Sequence, residues 1–143
     1  MVNIREIKIK ACNESFKLPV RSTQYAAGID FFSMYNVTIL SRKSSIIPLG
    51  CKLEIPPGFY LQLKTRSSMG IKGLIVIAGV IDCDFRGQPL VIMHNLGKLP
   101  VKIKRYDKFV QGIILESYSF PLIQVEELGP SIRAERGLGS SGY

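Results

Sequence analysis

The sequence predicts an all-β domain of sandwich or jelly-roll type. Short apolar segments either alternate with polar residues at period two or run on at strand length. Gly- and Pro-rich turn signals separate them at short intervals. At 143 residues, with 46% apolar and 21% charged residues, the chain has a globular rather than a disordered balance. Its length is that of one ordinary domain, enough to bury about two-thirds of the unfolded surface.

In chain order, Ile7, Ile9 and Ala11 alternate with Lys8 and Lys10. Cys51, Leu53 and Ile55 alternate with Lys52 and Glu54, and Val101 and Ile103 with Lys102 and Lys104. Each pattern puts one face in a core and the other in water. The runs LVIMHN (90–95) and FVQGIIL (109–115) are continuously apolar, as expected of strands covered on both sides. PPG at 56–58, MGIKG at 69–73, FRGQP at 85–89 and LGKLP at 96–100 read as turns. Room for a helical turn remains only within Asn13–Thr23 or Glu126–Arg133. No repeat, linker or second domain is evident. The last residues, RAERGLGSSGY, are rich in Gly and Ser and poor in core formers. The expected division is a β domain over 1–132 and a flexible tail over 133–143.

Composition also excludes. No apolar run approaches the roughly 20 residues of a membrane span. The N-terminal MVNIREIKIKAC alternates charge with isoleucine, unlike a secretion signal. Cys12, Cys51 and Cys83 are odd in number and widely spaced, which argues against a disulfide framework or a zinc site. A reducing, intracellular compartment, cytoplasm or nucleus, is expected. The net charge of +8 favours anionic partners such as a nucleotide polyphosphate. The basic residues form no block and have no evident aromatic platform, so stable nucleic-acid binding is not expected.

Five stretches carry chemistry. GVIDCDFRGQ (79–88) sets Asp82 and Asp84 between glycines that allow a tight hairpin. Asp82 follows Val80 and Ile81, so it leaves a buried strand at its end, where a carboxylate can act as a general base. Aspartates are also ordinary turn residues. TRSSMG (65–70) offers an arginine fork and hydroxyls for phosphate, or a simple polar turn. AAGID (26–30) combines small residues with an acid. KRYDKFVQG (104–112) places Gln111 inside an apolar run, where its amide must find partners. RAERGLGSSG (133–142) is a glycine-rich stretch with two cations, an anion-binding lid or a disordered tail. His94 has no nearby Ser or Cys and reads as structural.

In order and spacing these stretches resemble the five motifs of the trimeric dUTP pyrophosphatase (dUTPase) family. AAGIDF is similar to AGxDL, TRSSMG to PRSGLA, GVIDCDFRGQ to GVIDxDYRGE, YDKFVQGI to GDRIAQLI, and RAERGLGSSG to RGxGGFGSTG. The resemblance runs from about Phe16 to Tyr143. It implies a distorted jelly-roll β-barrel, a homotrimer with shared active sites, and hydrolysis of dUTP to dUMP and pyrophosphate with Mg²⁺. That reaction supplies dUMP for thymidylate synthesis and limits uracil incorporation into DNA. Asp82 would deprotonate the attacking water. Arg66, Ser67, Ser68 and Gln111 would hold phosphates. Gly79, Val80 and Ile81 would read uracil through their backbone, and Phe85 would exclude a 2′-hydroxyl. Asp30 would support the site from behind. The tail residues Arg133, Arg136, Leu138, Gly139 and Ser140 would close over a neighbour's site. Mg²⁺ would be held mainly by the substrate phosphates, with no direct protein ligand.

Departures from the family pattern are specific. Phe85 replaces Tyr, Ser68 replaces Gly, Met69–Gly70 replaces Leu–Ala, and Tyr106 replaces a turn glycine. The Ser–Ser version of the second motif is similar to some virus-encoded members, which leaves a viral source open. Leu138 takes the place of a phenylalanine that stacks on uracil, a loss of about 1–3 kcal/mol. By the resemblance Arg133 or, in a gapped alignment, Arg136 would be the γ-phosphate arginine. The alternative readings are a dUTPase-like protein acting by nucleotide or protein binding, and the related dCTP deaminase, whose motif RSS at 66–68 also resembles.

Overall fold

Eleven strands and one short helix follow one another in the computed structural model, which describes residues 6–137. The strands are β1 (Lys8–Ala11), β2 (Gly28–Phe32), β3 (Val37–Ile39), β4 (Ser44–Pro48), β5 (Cys51–Glu54) and β6 (Phe59–Thr65). After the helix α1 (Ser67–Ile71) come β7 (Leu74–Ile77), β8 (Val80–Ile81), β9 (Leu90–Asn95), β10 (Val101–Ile103) and β11 (Lys108–Glu116). Every strand pairing is antiparallel. A four-stranded sheet runs β2-β11-β6-β8, a three-stranded sheet runs β4-β9-β7, and β1-β5 and β3-β10 form ribbons. Their inner faces meet in one core that includes Ile39, Ile47, Leu49, Cys51, Leu63, Met93 and Phe109. This is the jelly-roll-like architecture that the strand and turn pattern predicts.

Where the alternation is clean, the strands behave as expected. Cys51, Leu53 and Ile55 are buried while Lys52 and Glu54 are exposed. Burial pushes the Cys51 thiol up to about 12, with Cys12 adding to the shift, so Cys51 stays a protonated core residue. All three cysteines are free. In β11 the register shifts between Lys108 and Val110. That bulge lets the consecutive residues Phe109 and Val110 both turn into the core.

Two expectations are corrected. The run LVIMHN is not covered on both sides. In β9 Val91, Met93 and Asn95 are buried, but Leu90 is exposed, because the described residues place no layer over the outer face of β4-β9-β7. The helical turn falls in neither Asn13–Thr23 nor Glu126–Arg133 but at α1, inside TRSSMG. Ser, Ser and Gly are poor helix formers. The turn forms because Met69 drops into the core at its centre, so packing overrides propensity. Beyond β11, residues 117–137 are exposed and contain no strand. No helix among the described residues is long and apolar enough to cross a membrane.

The end of β9 carries a polar anchor that hydropathy alone does not reveal. Asn95 is fully buried. Its amide donates to the Ile39 carbonyl at 3.0 Å and the Leu99 carbonyl at 2.8 Å, and its oxygen accepts from the Gly97 N–H at 2.8 Å. One side chain thus ties β9 to β3 and to the turn before β10. Asn95→Ala is expected to destabilise the fold by about 2–4 kcal/mol, since it leaves buried backbone groups without partners. Urea unfolding checks this, and a loss below about 0.5 kcal/mol would contradict the anchoring role.

Candidate active site

The buried carboxylate of Asp30 organises one end of the four-stranded sheet. Asp30 lies on β2, opposite Gln111 of β11, and is 6% exposed. Its backbone exchanges hydrogen bonds with Val20 at 2.8 and 3.0 Å. The carboxylate accepts from Arg66 Nε at 2.8 Å, from Arg66 Nη2 at 3.4 Å and from Ser22 Oγ at 3.0 Å, with Lys108 Nζ at 3.5 Å. Arg66 Nη1 donates to Ser68 Oγ at 3.2 Å and to the Lys108 carbonyl at 3.0 Å. Burial alone would raise the Asp30 pKa. The Arg66 and Ser22 hydrogen bonds, with the charges of Arg66 and Lys108, outweigh it and hold the carboxyl below its ordinary value.

Arg66, fixed in this way, leads directly into α1. Ser67 and Ser68 are exposed in its turn, over the buried Met69. Gln111 is half-buried, and its amide donates to the Thr65 carbonyl at 3.1 Å, which answers its need for a partner. The lack of a side chain at Gly28 makes this possible, because a Cβ there would lie 2.2 Å from Gln111 Oε1. Asp30, Arg66, Ser67, Ser68 and Gln111 therefore gather from segments far apart in sequence. Ser22, Thr65 and Lys108 join them. Sequence reasoning gives none of the three a role at the site: Ser22 lies outside the quoted stretches, and Thr65 and Lys108 lie within them with no pattern that points to Asp30 or Gln111.

The segment 79–88 is built differently. Ala78 and Gly79 both take positive φ, at 61° and 101°. They turn the chain out of β7, and the Gly79 carbonyl accepts the Leu63 N–H at 2.7 Å. A Cβ on Gly79 would meet the Leu63 oxygen at 2.9 Å, so only glycine fits. Val80 and Ile81 then pair with Gln62 and Leu61 of β6. The chain reverses at once, with the Phe85 N–H donating to the Asp82 carbonyl at 3.2 Å. The segment is thus a short strand and a turn, with β6 as its partner. Asp84 lies in this turn, so it does not continue the strand beyond Asp82. Asp82 is exposed at the strand end, with no side-chain hydrogen bond or ion pair among the described residues. The Phe85 ring lies over Gly87, where a Cβ would come within 2.6 Å of it. Val80, Ile81, Asp82, Phe85, Gln88, Pro89 and Leu90 line an open cleft of about 290 Å³.

Within one chain these two parts are apart. Ile81 faces Leu61, and Arg66 follows five residues farther along β6, roughly 17 Å at the rise of a strand. Arg133 and Arg136 are exposed and donate through Nε to each other's carbonyls, at 2.9 and 3.1 Å. Leu138, Gly139 and Ser140 lie outside the described residues.

Comparison with known proteins adds to this geometry. The family model described as dUTPase matches residues 14–142. A deoxyuridine 5'-triphosphate nucleotidohydrolase from Caldanaerobacter subterraneus subsp. tengcongensis is 34% identical, over 95% of this chain and 97% of that protein. A protein of the same name from fowl adenovirus A serotype 1 is 37% identical, over 87% of this chain and 70% of that one. A solved structure, Staphylococcus bacteriophage 80alpha dUTPase with dUPNHPP, matches with a TM-score of 0.90 over 96% of this chain and 99% of that chain. At 23% identity that likeness speaks for the fold.

The depressed Asp30 pKa fixes a pH dependence. Its stabilising contribution is fully present above the unfolded value of 3.8 and is lost as pH falls through the lower folded value. Asp30→Asn should destabilise by about 3 kcal/mol at neutral pH, because it leaves Arg66 without its partner. It should also flatten the stability curve between about pH 5 and pH 2. Denaturation across that range checks both, and an unchanged slope would remove Asp30 as the titrating group.

Proposed function

The chain belongs to the dUTPase family, and from that premise we propose how its parts divide the work. It is a hydrolase, a dUTP diphosphatase that converts dUTP to dUMP and pyrophosphate. Asp82 is the general base. It takes a proton from a water molecule whose oxygen attacks the α-phosphorus. The bond from that phosphorus to the bridging oxygen breaks, and pyrophosphate leaves. The observation that carries this assignment is an exposed carboxylate at a strand end, with no side-chain partner among the described residues, on a cleft also lined by Val80, Ile81 and Phe85. A base must reach water and keep its proton-accepting oxygens free.

Substrate contacts follow from the same geometry. The backbone of 79–81 recognises the base, because a rigid strand offers donors and acceptors at fixed spacing. Phe85, braced over Gly87, lies against the deoxyribose and fills the place of a 2′-hydroxyl. Ser67, Ser68 and Gln111 face the phosphates with the donors they keep free. Arg66 directs most of its N–H groups to Asp30, Ser68 and the Lys108 carbonyl, so its part is to fix α1 and to offer what remains of its fork. A magnesium ion brought in on the substrate phosphates would supply charge neutralisation there, with no direct protein ligand.

The active unit is a homotrimer with shared sites. Support comes from the separation of Asp82 and the Arg66 cluster within one chain, since a second copy can bring the two together. The open apolar face of β4-β9-β7, with Ile46, Ile77 and Leu90, also favours burial against another chain. The tail, from Arg133 through Leu138, Gly139 and Ser140, closes over a neighbour's site. There Arg133 or Arg136 meets the γ-phosphate. Free cysteines suit a reducing compartment.

Asp82→Asn is expected to fold and to lose about 10²–10⁴-fold in turnover. Pyrophosphate release from dUTP checks it, run beside UTP, dTTP and dCTP. Normal turnover would remove Asp82 as the base, whereas tight analogue binding without turnover in the wild type would make the chain a binding protein. Truncation after Ser131 should leave a folded protein with kcat/KM reduced by about tenfold or more, since two cations are lost from the phosphates. Full activity in the truncated chain would exclude the tail from the site.

A further inference from the structure

A second basic surface lies outside these assignments. On the solvent face of the β1-β5 ribbon, Lys8 is opposite Glu54 and Lys10 is opposite Lys52. The first pair is closed, with Lys8 Nζ 2.7 Å from Glu54 Oε1. The second sets two lysines directly opposite each other across the strands, an arrangement of like charges that costs stability unless an anion sits between them. Arg86 completes the wall. Together with Ile9 and Leu53, these residues line a groove of about 370 Å³. Four cations line it against one carboxylate, and that carboxylate is already paired. Glu6 acts on Lys8 from outside the groove.

Arg86 also belongs to the turn that carries Asp82. Its Nη1 donates to the Cys83 carbonyl at 2.6 Å and to the Phe85 carbonyl at 3.4 Å. A guanidinium has five N–H donors in a planar fork, so its other edge can meet an oxyanion without releasing the turn. We propose that the groove between the β1-β5 ribbon and the 82–86 turn is a diphosphate-binding site, separate from the catalytic cleft. In it Lys10 and Lys52 grip one phosphate and Arg86 the other. A diphosphate fits better than a nucleic-acid strand, because the cations line one short groove and no aromatic ring among the described residues lines it for base stacking. Inorganic pyrophosphate is such an ion. Its binding would brace Arg86 and, through it, the turn 82–85. That last step rests on the assignment of pyrophosphate as a product and of Asp82 as the base. The binding itself does not.

The test is calorimetric titration of the full-length chain with inorganic pyrophosphate, with its catalytic cleft saturated by dUPNHPP. The wild type should still take up pyrophosphate. Lys52→Glu should weaken that uptake about tenfold or more, since the charge facing Lys10 is reversed. The same change turns a cross-strand repulsion into an attraction, so the melting temperature should hold or rise. Lys10→Gln should weaken uptake as well, and both variants should keep wild-type turnover of dUTP without added pyrophosphate. Absence of uptake in the saturated wild type would overturn the site, as would equal uptake by the variants. So would an oligodeoxynucleotide that binds more tightly than pyrophosphate and is lost in the same variants. Turnover measured on the same samples keeps the two claims separable. An active enzyme that takes up no pyrophosphate removes the groove and leaves the function standing. Uptake without turnover removes the function and leaves the groove.

Discussion

A carboxylate taken out of water has to be met by donors on every side, and Asp30 imposes that demand on segments spread along the chain. Ser22 answers from the loop before β2, Arg66 from the end of β6, and Lys108 from the start of β11. Because the carboxylate is 6% exposed, losing any one of these partners would be costly. The constraint therefore fixes the order of β2, β11 and β6 at this end of the sheet. It also aims Arg66, and through Arg66 the turn that exposes Ser67 and Ser68. At this end of the sheet the charges of Asp30, Arg66 and Lys108 offset one another.

The segment around Asp82 rests on backbone geometry instead of charge. Consecutive positive φ values at Ala78 and Gly79 lift the chain out of one sheet and lay Val80 and Ile81 against another. The strand stops after two residues, and Asp82 emerges into water at its tip. The protein thus carries two acids in contrasting settings: Asp30 is buried among donors, and Asp82 is exposed at a strand end.

The single chain leaves surfaces that are expensive in water. The outer face of β4-β9-β7 shows Ile46, Ile77 and Leu90, and residues 117–137 expose Leu122, Ile123, Leu128 and Ile132. Such surfaces are the kind that association with another chain would bury.

The period-two patterns at Cys51–Ile55 and Val101–Ile103 determined those strands, because alternation is a local property that any half-buried strand must show. The residue types of the five stretches also stood in the sequence, as did Asp82 at the end of a β-branched run. Tertiary structure decided the rest. The pairing of Asp30 with Arg66 joins residues 36 positions apart, and no local pattern encodes it. Likewise α1 exists because Met69 finds a place in the core, against the preference of its neighbours. The open face of β9 was hidden because a continuous apolar run looks alike whether a second layer of the same chain or another molecule covers it. The opposition of Lys10 to Lys52 likewise needed the register of β1 on β5. Sequence set what each segment could do, and long-range pairing, whose partners are remote in the chain, set which groups would meet.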